Sequence, residues 1–425
     1  MLLFSNKIIY RKIVNFKGDA MMGKKIFIDL DKEKKLPPNM SNQDIVDIKI
    51  NGKLIVKNSI LENIDTLTKE ELRDILTNLK NYIYPTVTSQ YIPSVDTMRI
   101  LFELAPTFKV RFKTEKDGAD PIIPISIEEF FEGEKIFDEI LKGIDPQWSE
   151  LQKYKYLYNK NSQMLSYDLN ALSYTSYGRL HEKYSRNIFT AMAKNWGICA
   201  SFAASYDYLC YRAGLGSQVL SEENHDYVVI EHTKLGNILT DSTSDATRVK
   251  FGMKSRSFGV SKKQFIEDGH HLEETEASDY EFHSLCDEEI RQLDCAVGYL
   301  QEFKGEYTDT YIINLANHIE GNNNFEKITI LLEKIKNLKT IGRPSTCDFE
   351  RIISLILANT HDKALRDGIK VYSHVSENIS ELPNQIIIEV HDARIGENVE
   401  YYVLKDGLES YEVMYELEEN TYKRI

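Results

Sequence analysis

The sequence predicts an α+β fold, and three stretches carry that prediction. Near the N-terminus, apolar alternation flanks Asn51-Gly52, a strong hairpin signal. In the middle, a helical pattern opened by Cys199 is followed by two strand patterns, Tyr227–Glu231 and Asn237–Asp241, around a turn at Thr233–Gly236. Toward the C-terminus, a block of helix-like periodicity gives way to strands.

Taken in order, Lys25–Leu30 alternates like a strand, and Asp47–Ile50 and Leu54–Val56 form the arms of the Asn51-Gly52 hairpin. Thr68 and Glu71 make a capping box ahead of Leu72, Ile75, Leu76 and Leu79, so a helix follows. Thr97–Leu104 and Thr107–Lys113 read as further strands, and Pro121–Pro124 opens a turn-rich connection to the acidic segment Glu128–Glu139. A β-rich region with one helix is therefore expected over residues 1–140, and a central core over residues 141–275. Helical patterns at Asp287–Phe303, Thr308–Ile319, Phe325–Leu338 and Cys347–Asn359 mark residues 276–360, separated by Gly321–Asn324 and Gly342–Ser345. Asn384–Val390, Val399–Lys405 and Glu409–Glu418 read as strands, with Lys405-Asp406-Gly407 turning the last pair, and place a small sheet within residues 361–425.

The chemistry concentrates in the core. Phe202, Ala203, Tyr206, Leu209, Cys210 and Ala213 recur at helical intervals after Cys199, and Gly214 supplies the left-handed residue that ends such a helix. Cys199 then sits in the first turn, where unpaired backbone N–H groups favour a thiolate. The hairpin downstream brings His225 close to Asp241. Strand alternation puts His225, Tyr227 and Val229 on one face, whereas His232, seven residues on, falls on the other; His225 is the better base. A thiol, an imidazole and a carboxylate in this order point to a nucleophile, its base and the residue that orients the base.

Several segments resemble the transglutaminase-like superfamily, a branch of the papain-like cysteine enzymes. Gly197-Ile198-Cys199 with Phe202-Ala203 is similar to its nucleophile segment, and Ala213-Gly214-Leu215 to its helix-ending turn. His225-Asp226-Tyr227 resembles its histidine with an aromatic two residues later. Asp241-Ser242-Thr243-Ser244-Asp245 resembles its aspartate segment, with Ser242 where proline is usual, which leaves the backbone after Asp241 less rigid. Upstream, Ser149–Asp168, ending in Leu165-Ser166-Tyr167-Asp168, looks like the helix and SYD stretch that precede the cysteine. The likeness runs from Gln147 to Asp245. It implies a nucleophile helix packed on an antiparallel sheet, and acyl transfer on a peptide or protein amide through a thioester. Cys199 attacks, His225 moves the proton, and Asp241 fixes the imidazole. The backbone N–H of Cys199 is one oxyanion donor, and Trp196, Asn195, Tyr174 and Tyr177 are candidates for the second. Hydrolysis by a protease, peptidase or deamidase ranks slightly ahead of cross-linking by a transglutaminase. The alternative is a binding or scaffold protein that keeps this fold with Cys199 idle, since buried cysteine is commonly core.

Composition limits the remaining classes. A chain of 425 residues with 42 % hydrophobic content can bury real cores. A net charge of −14 argues against general nucleic-acid binding, and no stretch reaches the length of a membrane span. Five scattered cysteines fit a reducing compartment, and Met1–Ala20 lacks the apolar run of a secretory signal, so a cytoplasmic location is expected. Those first residues, ahead of Met21-Met22, read either as an extension or as lying before the native start. Lys250, Lys254, Arg256, Lys262 and Lys263 are expected to form a solvated basic face. His270-His271 with Glu273, Glu274 and His283 reads as an exposed polar loop rather than a metal site, and Cys286 and Cys295 lack zinc-like spacing. Gly214-Leu215-Gly216 is no dinucleotide fingerprint, so neither cofactor nor metal is expected. Oligomeric state is left open.

Overall fold

Asn51 and Gly52 both adopt left-handed backbone, with φ of 51° and 76°, as a two-residue hairpin of the primed type requires. They join β2 (Ile45–Ile50) to β3 (Lys53–Lys57), which pair antiparallel with Ile50 opposite Lys53. The computed structural model describes residues 24–32, 44–62, 64–84, 86–89, 95–105, 109–112, 127–172, 181–182, 185–222, 225–270, 281–302, 309–374, 385–396, 398–405 and 410–414. The extension at Met1–Ala20, the connection at Pro121–Pro124 and the turn at Asp406-Gly407 lie outside the described residues. Two compact units divide the chain, Met1–Phe131 and Glu132–Ile425.

The first unit contains one six-stranded sheet. β1 (Lys25–Asp29), β2, β3, β4 (Ile60–Glu62), β5 (Thr86–Ser89) and β6 (Lys109–Phe112) lie in chain order. The pairs β1/β2, β4/β5 and β5/β6 are parallel. A parallel pair needs a crossover, usually a helix, and that requirement overturns one expectation. Thr97–Leu104, expected as a strand, belongs to the helix Val95–Leu104, which bridges β5 to β6. Its sequence satisfies either period; as a helix it buries Met98, Ile100 and Leu101, with Ala105 buried just beyond its end. The matching crossover from β4 to β5 is the helix Lys69–Leu79. Its capping box is closed: the Glu71 N–H donates to Thr68 Oγ1 (3.2 Å) and the Thr68 N–H to Glu71 Oε2 (2.8 Å). Leu72, Ile75, Leu76 and Leu79 form its buried stripe.

The second unit is a mixed α+β body. The strands β9 (Ser217–Ser221), β10 (Asp226–His232), β11 (Gly236–Thr240) and β12 (Phe258–Val260) form an antiparallel sheet in the order β12-β11-β10-β9. β10 is buried on both faces. Tyr227 and Val229 pack with Leu239 and Phe265, while Val228 and Ile230 are equally inaccessible. The helix Cys199–Arg212 packs on β10, and Glu150–Met164 packs on that helix and on Ser242–Lys250. Further along, the helices Asp309–Asn317, Asn324–Lys336 and Thr346–Asn359 share one core with the sheet of β13 (Ile369–His374), β14 (Gln385–His391), β15 (Val399–Lys405) and β16 (Ser410–Met414). Ile328, Leu331, Ile352, Ile356, Ile386 and Ile388 lie at its centre.

Arg256 and Lys263 are exposed, as a solvated basic face requires, and Lys254 and Lys262 are partly so; Lys250 alone departs from that expectation. Lys250 is fully buried, its Nζ 3.1 Å from Asp348 Oδ2 and hydrogen-bonded to Ser166 Oγ. Burial pushes the Lys250 pKa down, opposed by the Asp348 carboxylate. Asp348 also accepts from Thr247 Oγ1 (3.0 Å) and the Ser345 N–H (2.8 Å). One ion pair thus ties Thr346–Asn359 to the core around Cys199. Among the described residues, no helix is long and apolar enough to cross a membrane.

Candidate active site

Cys199 is the first residue of its helix because the chain before it is held extended. The two-residue strands β7 (Ser166–Tyr167) and β8 (Trp196–Gly197) pair in parallel. The Ser166 N–H donates to the Asn195 carbonyl (3.1 Å) and the Asp168 N–H to the Gly197 carbonyl (2.8 Å). The Asp168 carboxylate is itself fixed by the Ser185 hydroxyl (2.6 Å), His181 Nδ1 (3.1 Å) and the Asn170 N–H (3.0 Å), all buried. The SYD stretch therefore acts as a brace beneath the segment that leads into Cys199. Ser201 folds back, its Oγ accepting from the Ile198 N–H (3.0 Å). A Cβ on Gly197 would collide with that same oxygen, which is why glycine stands there. The helix closes as expected, with Gly214 at φ 72°. Cys199 itself is 8 % exposed.

His225 stands just before β10, with Nε2 3.0 Å from Asp241 Oδ2 and a hydrogen bond to the Cys199 thiol. With Nε2 committed to the carboxylate, Nδ1 is the nitrogen left for sulfur. Asp241 is buried and serves a second purpose as N-cap of Ser242–Lys250: its Oδ1 accepts from the Thr243 N–H (2.9 Å) and the Ser244 N–H (3.3 Å). That helix supplies the constraint a proline would have given. Asn161 Nδ2 adds to it, donating to Ser242 Oγ (3.0 Å) and to the Phe202 carbonyl (2.9 Å). Burial alone would lower the His225 pKa, but hydrogen bonds to Asp241 and Cys199, and their charges, raise it to about 10. Burial works to raise Asp241, yet the His225 contact and the Ser244 hydroxyl hold it below the usual carboxylate value.

A second histidine joins the site. His270 lies with Nε2 3.5 Å from Asp241 Oδ2, its ring 5.0 Å from that of His225 and stacked on Phe265 at 3.9 Å. Expected in an exposed loop, it is instead half-buried, because the helix Lys262–Glu267 carries Phe265 into the sheet core and the chain turns back over it. Burial lowers the His270 pKa, opposed by Asp241. His225, Asp241 and His270 offer donor atoms within 4.8 Å of one another, a set that could hold a metal ion. His271, Glu273 and Glu274 lie outside the described residues.

The remaining candidates are sorted by position. Tyr174 and Tyr177 lie outside the described residues. Asn195 caps the helix Ile188–Lys194 in left-handed conformation and donates its side-chain N–H to the Arg343 carbonyl (3.2 Å), so its amide is committed elsewhere. Trp196 is buried, and its indole N–H has no partner among the described residues. His232 turns away, its Nδ1 accepting from the Lys234 and Leu235 N–H groups. Tyr167, quoted in the motif without a role, pairs with Gly197 two residues before Cys199 and has the Arg351 guanidinium 4.9 Å over its ring. No spacing in the sequence points to His270 or Arg351, which come from elements far along the chain.

No family model matches this chain, and no curated protein matches it. Among solved structures, one described as "Crystal structure of a TGase" aligns at 14 % identity over 61 % of this chain and 82 % of that one, with a TM-score of 0.25. That likeness is too slight to assign an activity, so the chemistry rests on the side chains.

Proposed function

We propose that this chain is a cysteine-dependent acyl-transfer enzyme of the transglutaminase-like kind, acting on a peptide or protein amide. The observation that carries the reading is the line from thiol to imidazole to buried carboxylate, with the sulfur at a helix start. A His225 pKa raised to about 10 favours the imidazolium at neutral pH, and an adjacent imidazolium favours the thiolate.

In the first half-reaction Cys199 Sγ bonds to the amide carbon, and the carbonyl electrons move to oxygen. When they return, the C–N bond breaks, the His225 Nδ1 proton goes to the leaving amine, and a thioester remains. Water or a primary amine then attacks. His225 takes its proton, the C–S bond breaks, and the thiolate–imidazolium pair is restored. Asp241 stays ionised throughout and holds the ring in the productive tautomer. Hydrolysis ranks slightly ahead of amine transfer.

Alkylation by iodoacetamide with mass-spectrometric site assignment tests the reading. Cys199 should react far faster than Cys210, whose thiol burial raises well above the ordinary value. Equal, slow labelling would point to a scaffold. Peptide turnover with and without a primary amine separates hydrolysis from cross-linking.

A further inference from the structure

A cleft of about 290 Å³ opens on the Asp241 side of the proposed triad, and Ser244 and His270 line it together with Arg248, Arg256 and Arg351. The first two touch Asp241, whose carboxylate orients His225. Arg351 approaches the nucleophile segment separately: its guanidinium lies 4.9 Å over the Tyr167 ring, and Tyr167 pairs with Gly197, two residues before Cys199. The cleft therefore adjoins the Asp241 carboxylate through Ser244 and His270, and the strand that leads into Cys199 through Arg351 and Tyr167.

Its charges are unequally spent. Arg248 is ion-paired with Asp309 and donates through Nε to the Lys254 carbonyl (3.0 Å). Asp245, on the cleft wall, is fully buried, and its oxygens are filled by the Arg256 and Ser257 N–H groups and the Tyr158 hydroxyl. Asp268 accepts from Gln264 Nε2 (2.9 Å). Arg256 and Arg351 have no ion-pair partner among the described residues, and neither has Asp268, so cations exceed anions among the unpaired charges of the cleft although acidic residues outnumber basic ones in the chain, 66 to 52. Arg351 makes one long hydrogen bond, to the Thr243 carbonyl (3.4 Å), and Arg256 reaches solvent. Two guanidinium groups against the single unpaired carboxylate of Asp268, in a concave site, leave a positive charge that suits a carboxylate, which each can bind through paired N–H donors.

We infer that this cleft is a specificity pocket for a carboxylate carried by the peptide substrate close to the amide that Cys199 attacks. The inference rests on the acyl-transfer reading of Cys199. The volume admits one acidic side chain or a chain terminus, and the carboxylate is the chemistry common to both.

The test uses the full chain and N-iodoacetyl probes. Iodoacetyl derivatives of glycine, β-alanine, γ-aminobutyrate and 6-aminohexanoate are compared with their primary amides in alkylation rate at Cys199. At one tether length the acid should outpace its amide by about tenfold or more, as one charge-assisted contact gives. Arg256→Gln, at an exposed position, and Arg351→Gln should each bring that ratio toward one; added salt should lower it. Iodoacetyl-Asp-amide against iodoacetyl-Ala then distinguishes a side-chain from a terminal carboxylate. A ratio that stays flat across tethers, or survives Arg256→Gln, overturns the pocket while fast amide labelling leaves the nucleophile intact. If Cys199 labels no faster than Cys210 with the amides, both readings fall.

Discussion

At the scale of single residues, His225 sets the pH behaviour. Its folded pKa is raised from 6.5 to about 10, so its contribution to stability is complete below pH 6.5 and is lost as pH rises through 10. The unfolding temperature should therefore fall across that window in the native protein and respond less in His225→Gln, as read by circular dichroism. Activity should show an alkaline limb near pH 10, where the imidazolium loses its proton. On the acyl-transfer proposal, replacing the Asp241 carboxylate acts on chemistry: Asp241→Asn should lower kcat by roughly 10²- to 10⁴-fold, since the wrong tautomer is then favoured. A steady-state rate unchanged by that substitution would remove Asp241 from the triad.

At the scale of elements, the Ser242–Lys250 helix begins on Asp241 and ends on Lys250, joining the Asp241 carboxylate to the Asp348 ion pair. Lys250→Met would leave Asp348 buried without its cation, and should cost about 3–5 kcal/mol in urea unfolding. Gly197→Ala pushes on the Ser201 oxygen that holds the Ile198 amide, so the start of the nucleophile helix shifts; Cys199 alkylation should slow while the far-UV spectrum is kept. Thr68→Ala opens the capping box of Lys69–Leu79 and should destabilise that helix by about 1 kcal/mol. The hairpin at Asn51-Gly52, this capping box and the Cys199 helix were legible because each is dictated locally, by backbone sign, by side chain to amide contacts, or by periodic burial. The Val95–Leu104 helix was not. Its residues fit both periods, and only the parallel pairing of β5 with β6 decides between them.

At the scale of the whole molecule, the second unit is knitted by buried charges from distant segments. Lys155 lies 3.4 Å from Asp294, and Lys250 lies 3.1 Å from Asp348, all four buried. A fragment of residues 132–275 would keep both lysines and lose both acids, along with the core that covers Phe251 and Met253. Such a fragment should fail to unfold cooperatively and should lose the preference for labelling Cys199. A cooperative transition in the fragment would show that the later helices are dispensable for the core.

The sequence by itself determined the hairpins, the capped helices and the order of thiol, imidazole and carboxylate, because these follow from neighbours a few residues apart. Tertiary structure alone decided the burial of Lys250, the placing of His270 against Asp241, and the approach of Arg351 to Tyr167. Each of those depends on two segments meeting across a core, where desolvation penalises an unpaired charge and packing selects the partner. No local pattern of residue types encodes that meeting.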